Sequence, residues 1–213
     1  MTATSTNDHH VPRCVAIVAM GPSREDYLAD CLARSGRFQV ADETWAINAM
    51  AGVIDHDRAF IMDDPAYFSR AAREHRNLEG YKDWLHRHPG PVYTSRADKD
   101  FPGTVDYPLQ AVLQSVGFAY FNSTPAYALA LAIHWNVPEV KLYGMDYTQG
   151  TAVAEAGRAC LEYWIAIASE RGMKVRLADH SSLCDHATGR PLYGYARQPK
   201  ITWNENRCTV EQA

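Results

Sequence analysis

Val15-Ala16-Ile17-Val18-Ala19 is an unbroken apolar run, the chain turns at Gly21-Pro22-Ser23, and Arg24-Glu25-Asp26-Tyr27-Leu28 continues with helical spacing. An apolar run without polar alternation suits a strand buried on both faces, the condition of a parallel sheet covered by helices. A strand that passes through a tight turn into a helix aims backbone N–H groups and a helix N-terminus at one point, a seat for an anion such as phosphate. Gly21 lacks the Cβ that would obstruct the bend or a ligand, Pro22 fixes the turn, and Ser23 is the expected N-cap. Many βα turns hold nothing, so this segment alone leaves an anion seat and a bare turn both open.

The rest of the chain keeps the alternation. Thr44-Trp45-Ala46-Ile47-Asn48 reads as a second strand with Asn48 at its carboxyl end, and residues 58–64 read as a third, ahead of a helix that Pro65 starts. Helices are expected over 66–76 and 79–88, a short strand over 91–95, an exposed loop over 96–106 and a helix over 109–116. Residues 126–135 are rich in Ala and Leu nearly all round, the mark of a buried helix, and His134 within it reads as a core histidine. A strand over 140–146, a helix over 151–171 closed by Gly172, a last strand over 174–177 and a short element from Ser181 complete the pattern. The expected fold is α/β, a Rossmann-like three-layer sandwich with a mostly parallel sheet in a single domain over 13–195. A disordered leader over 1–12 and a C-terminal tail over 196–213 flank it.

With 213 residues, 46% of them hydrophobic, the chain can bury one complete core. No stretch approaches the ~20 apolar residues that span a bilayer, and the polar first dozen residues lack the apolar segment of a signal peptide. The five cysteines are scattered, without a Cys-x-x-Cys pair, which points to a reduced cytoplasmic chain instead of a disulfide or zinc framework. A net charge of −4 gives no general pull toward nucleic acid. Two segments are locally basic: Arg70, Arg73, Arg76, Lys82, Arg87, Arg96 and Lys99, and then Arg190, Arg197, Lys200 and Arg207 among Tyr193, Tyr195 and Trp203. They read either as solvated faces or as a track for a polyanion.

Polar residues collect at four strand ends: Gly21-Pro22-Ser23, Asn48, Asp63-Asp64 and Gly144-Met145-Asp146. Ligands of an open parallel sheet lie outside the carboxyl ends of its strands, so this topology draws several of these groups to one rim. Asn122, Ser123 and Thr124, at the entry to the alanine-rich helix, add a second helix N-terminus there, and two such ends suit a nucleotide. Each group has a structural reading beside the functional one. Asn48 and Asp146 also suit turn caps, Asp63-Asp64 is an ordinary helix start ahead of Pro65 as well as a pair that could hold a divalent cation, and Glu155, Arg158 and Glu162 form either an ion-pair ladder or a substrate contact. His180, just past a strand end, is the candidate general base, with Asp146 and Asp63 as alternatives.

Gly21-Pro22-Ser23, the strand ending Trp45-Ala46-Ile47-Asn48, the run from Ser123-Thr124-Pro125-Ala126-Tyr127 to Ala132, and Glu139-Val140-Lys141-Leu142-Tyr143-Gly144-Met145-Asp146-Tyr147 occur in an order that resembles a known superfamily. It joins the bacterial sialyltransferases of glycosyltransferase family 42 with archaeal 6-hydroxymethylpterin diphosphokinase-like proteins, and the likeness spans most of residues 13–183. Ala154-Glu155-Ala156-Gly157-Arg158-Ala159-Cys160, Glu162-Tyr163-Trp164 and Leu192-Tyr193-Gly194-Tyr195 are similar to blocks of tailed-phage members.

The resemblance implies a metal-independent transferase that takes a nucleotide-activated sugar, with nucleotide contacts at Gly21, Ser23, Asn48, Ser123 and Thr124 and with Asp146 and Tyr147 near the transferred group. The phage likeness implies hydroxylated bases of phage DNA as an acceptor. The pterin-kinase branch implies instead a Mg²⁺-dependent diphosphate transfer to a small heterocyclic alcohol, with Asp63, Asp64 and Asp146 on the metal, and a crevice kept only for nucleotide binding is a third reading. Met20 stands where the family often has asparagine, and the sialyltransferase lid has no counterpart here.

Overall fold

The computed structural model describes residues 11–63, 79–186, 192–204 and 207–211. Seven strands, β1 (Cys14–Val18), β2 (Glu43–Ile47), β3 (Arg58–Phe60), β4 (Val92–Thr94), β5 (Thr104–Asp106), β6 (Glu139–Tyr143) and β7 (Lys174–Leu177), form one sheet in the order β5-β4-β3-β2-β1-β6-β7. Every pairing in it is parallel. The described helices are α1 (Arg24–Ala33), α2 (Glu79–Arg87), α3 (Leu109–Val116), α4 (Thr124–His134) and α5 (Ala152–Glu170). The fold is the expected Rossmann-like α/β sandwich.

Alternation along β1 shows how the layers form. Val15 and Ile17 pack into the large core with α4 and α5, while Ala16 and Val18 face Tyr27 of α1 on the other side. A smaller cluster buries Leu85 of α2 against Ala46, Ala59 and Val92. Nearly every residue of α4 is buried, so its uniform apolarity reflects a helix enclosed between sheet, α3 and α5. Trp164 of α5 is fully buried, and its indole N–H donates to the Tyr120 carbonyl at 2.7 Å.

Three expectations change. β5 lies in the segment read as a loop, because three residues with Val105 as their one apolar side chain carry no periodic signal of their own. The pairing with β4 makes the strand, and Asp98 N–H donating to Thr104 Oγ1 at 2.9 Å steadies the connection. The tail contains an antiparallel hairpin of β8 (Lys200–Asn204) and β9 (Arg207–Glu211). His134 closes α4 half-buried, with Nδ1 3.1 Å from Ser115 Oγ, and so is not enclosed in the core. The expected helix over 66–76 lies outside the described residues.

From β1 the chain moves outward through β2 to β5 and then returns to the opposite side of β1 as β6. The order therefore reverses between β1 and β6, which is where such a sheet opens a crevice. No described helix is long and apolar enough to cross a membrane.

Candidate functional site

The loops that leave β1 and β6 are clasped together. Gly21 N–H donates to the Gly144 carbonyl at 2.7 Å, Gly144 N–H to Ser23 Oγ at 2.9 Å, and Ser23 N–H to Asp146 Oδ2 at 2.8 Å. So close an approach requires glycine. A Cβ on Gly21 would lie 2.6 Å from both Asp146 Oδ2 and the Gly144 oxygen, and one on Gly144, whose φ is +71°, would lie 2.1 Å from the Ala19 oxygen.

The clasp corrects the reading of the Gly-Pro-Ser turn. Ser23 occupies the N-cap position but its side chain makes no cap bond; the residue is 2% exposed and its hydroxyl serves the β6 loop. The carboxylate of Asp146 sits at the N-terminus of α1, where an outside anion was expected. A negative group there is favoured by the helix dipole, and the protein supplies its own.

Beyond the clasp opens a crevice of about 350 Å³. Gly21, Asn48, Asp63, Ser123, Thr124, Gly144, Asp146 and Tyr147 all line it, so residues far apart in sequence do converge at the switch point. Asn48 turns the chain out of β2 with a left-handed φ of +52°, a conformation asparagine tolerates better than most residues. Asp146 is 3% exposed. Asn48 Oδ1 and Asp146 Oδ1 are both buried and have no hydrogen-bond partner among the described residues. An unsatisfied buried acceptor costs about 1–3 kcal/mol, so two residues of the crevice each carry an acceptor left without a partner.

The N-terminus of α4 forms another wall. Ser123 is extended there, with Pro125 in the first turn, and its hydroxyl accepts from Tyr147 Oη at 2.9 Å instead of capping the helix. Burial pushes the Tyr147 phenol up to about 12, which keeps it a hydrogen-bond donor at neutral pH. Its ring rests on Gly157 of α5, where an added Cβ would lie 2.7 Å from the ring. Gly157 was missed as a site residue although a signal existed: glycine inside a helix costs about 1 kcal/mol relative to alanine, which asks for a packing reason. Gly157→Ala should displace Tyr147 from Ser123 and weaken ligand binding several-fold, while the better helix residue offsets part of the stability loss. Paired calorimetry and binding titrations on this variant check both effects. Met20, Ile47, Met145, Thr148 and Gln149 also line the crevice, although none of them was a candidate site residue.

The other candidates lie elsewhere. His180 is not in the crevice: its Nδ1 lies 2.6 Å from Asp26 Oδ1, its side chain is 81% exposed, and it borders a separate groove with Lys141 and Arg176. Following β7, the outer strand, places it beside α1 and away from the switch point, and the Asp26 carboxylate raises its pKa. His180→Ala should therefore leave both ligand affinity and turnover within about twofold of the native values, whereas loss of a general base costs about 10²–10⁴-fold in turnover; a rate measurement beside the titration distinguishes the two. Arg158 pairs with Glu162 at 2.9 Å and donates to the Ser182 carbonyl at 2.8 Å, tying the turn over 182–185 to α5, while Glu155 is exposed. Pro22 and Asn122 are exposed and outside the lining, with Asn122 N–H donating to Cys160 Sγ at 3.3 Å. Asp64 lies outside the described residues.

No Lys, Arg or His is among the described residues that line the crevice. Two carboxylates, Asp63 and Asp146, line it, and among the described residues no group of three or more His, Cys, Asp or Glu is placed to hold a metal. Comparison with known protein families, curated proteins and solved structures finds no match for this chain.

Proposed function

We propose that the crevice binds a nucleotide-activated donor and that the chain is a transferase, with glycosyl transfer the reaction favoured by the sequence resemblance. The observation that carries this reading is the pair of unpartnered acceptors, Asn48 Oδ1 and Asp146 Oδ1, beside the N-terminus of α4. The acceptors suit hydroxyl or amino groups of a nucleoside, and the helix end suits its phosphate. Phosphate binding moves from the Gly-Pro-Ser turn, which Asp146 fills, to Ser123-Thr124.

In this reading an acceptor hydroxyl attacks the activated carbon and the bond to the nucleotide phosphate breaks, its electron pair leaving on the phosphate oxygen. Asp63, exposed at the crevice, takes the hydroxyl proton. Asp146, fixed through Oδ2, holds the donor, and the α4 N-terminus stabilises the departing phosphate. The five free cysteines support a reducing, cytoplasmic setting. DNA as the acceptor rests on the basic segments, of which Lys82, Arg87, Arg96, Lys99, Arg197, Lys200 and Arg207 belong to the described residues.

Thermal shift against nucleotide sugars and ATP, with and without Mg²⁺, tests the reading, since a ligand at a hundred times its Kd adds about 2.7 kcal/mol to stability. A metal-independent shift with a nucleotide sugar is expected. A shift with ATP that requires Mg²⁺ would favour diphosphate transfer, in which Asp63 and Asp146 would supply two ligands and phosphate and water the rest. Binding without turnover across hydroxyl acceptors, DNA included, would favour a binding protein.

A further inference from the structure

Where the chain enters β3 and β4, at the end of the sheet opposite the crevice, two histidines face each other with their protons fixed by the backbone. His56 Nδ1 lies 2.8 Å from the Ile54 carbonyl, which can only accept, so Nδ1 carries the hydrogen and Nε2 a lone pair. Gly90 N–H points at His88 Nδ1 at 2.9 Å, so there Nδ1 carries the lone pair and Nε2 the hydrogen. The two Nε2 atoms are 2.9 Å apart, and His88 therefore donates to His56. The rings are nearly parallel, 16° apart, and Trp84 packs against His88 with centroids 4.8 Å apart.

This chain of bonds exists only while both rings are neutral. A proton added to His56 would set N–H against the N–H of His88. One added to His88 would set N–H against that of Gly90. We propose that His56 and His88 form a proton-operated latch, which in the neutral state fastens the connection between β2 and β3 to the turn between α2 and β4 and which opens on a single protonation.

Among the described residues, the charged groups around the latch are few. Arg37 and Asp55 line the same concavity, Arg37 being committed to Asp57 at 3.1 Å, and Tyr81 of α2 stacks on Trp84. Burial, and then the charge of His56, lower the pKa of His88 from 6.5. A folded pKa below the unfolded one means that the latch stabilises above the unfolded value of 6.5 and is lost as pH falls through the folded one. His180, raised by Asp26, acts in the opposite sense, contributing below 6.5 and losing its contribution as pH rises, so global melting mixes the two and a local readout is needed. The connection held by the latch begins at Asn48 of the crevice; any effect on ligand affinity rests on the crevice reading, while the latch itself does not.

Long-range ¹H–¹⁵N spectra of the imidazoles across the range from about pH 8 to pH 5, with Gly90 amide exchange, test this without any ligand. His56 should show the Nδ1–H form and His88 the Nε2–H form at the upper end. On acidification both should change together, and Gly90 protection, taken relative to the intrinsic exchange rate at each pH, should fall about tenfold at the same midpoint. In His88→Asn the amide oxygen replaces Nδ1 as acceptor, so Gly90 protection should become independent of pH. Independent titration of the two rings, the reverse tautomers, or Gly90 protection in the native protein that does not respond to pH would overturn the latch. Should the variant fail to fold, the native spectra decide alone.

Discussion

Gly144→Ala is expected to destabilise the protein by about 3 kcal/mol or more, adding left-handed strain of about 1–2 kcal/mol to overpacking of about 1–3 kcal/mol. The new Cβ would lie 2.1 Å from the Ala19 oxygen and 3.2 Å from Arg24 Cβ. Ala19 cannot retreat, because its N–H donates to the Tyr143 carbonyl at 2.9 Å and any shift pulls β1 from β6. For a chain of this size the melting temperature should fall by about 6–12 °C in calorimetry. Gly150→Ala is the control: its φ is +63° but nothing lies within 4 Å of the added Cβ, so only the strain applies, about 1–2 kcal/mol. Equal losses in the two variants would show that the loops are not clasped as described.

Asp146→Asn should weaken binding of the proposed nucleotide ligand by about tenfold to a hundredfold, about 1.4 to 2.8 kcal/mol, with a much smaller effect on folding. The amide oxygen can still accept from Ser23 N–H, which turns the new NH₂ to the place of Asp146 Oδ1 and so replaces an acceptor with a donor. The lost charge at the start of α1 costs only about 0.3–1 kcal/mol. Titration calorimetry beside thermal melts separates the two effects. Native-like affinity in the variant would remove Asp146 from ligand recognition and leave it a purely structural cap.

The parallel sheet was legible because the run from Val15 to Ala19 has no polar interruption, and the convergence of Asn48, Ser123, Thr124 and Asp146 followed from strand ends sharing one rim. What escaped the sequence depended on partners far along the chain. Capping preference is local, whereas Ser23 is claimed by Gly144 and Asp146, 121 and 123 residues away. A histidine after a strand looks the same on either side of a switch point, so only the order β1-β6-β7 reveals that His180 belongs beside Asp26. β5 exists by virtue of β4 beside it, and Gly157 matters through a tyrosine from another loop.

The most direct test of the proposal follows amide shifts in ¹⁵N-labelled protein as a nucleotide sugar selected by thermal shift is titrated in. Perturbations gathered at Gly21, Asn48, Ser123, Thr124 and Tyr147 are predicted. A ligand that shifts the amides around Arg176 and His180 instead, leaving those five unchanged, would contradict the assignment of the crevice.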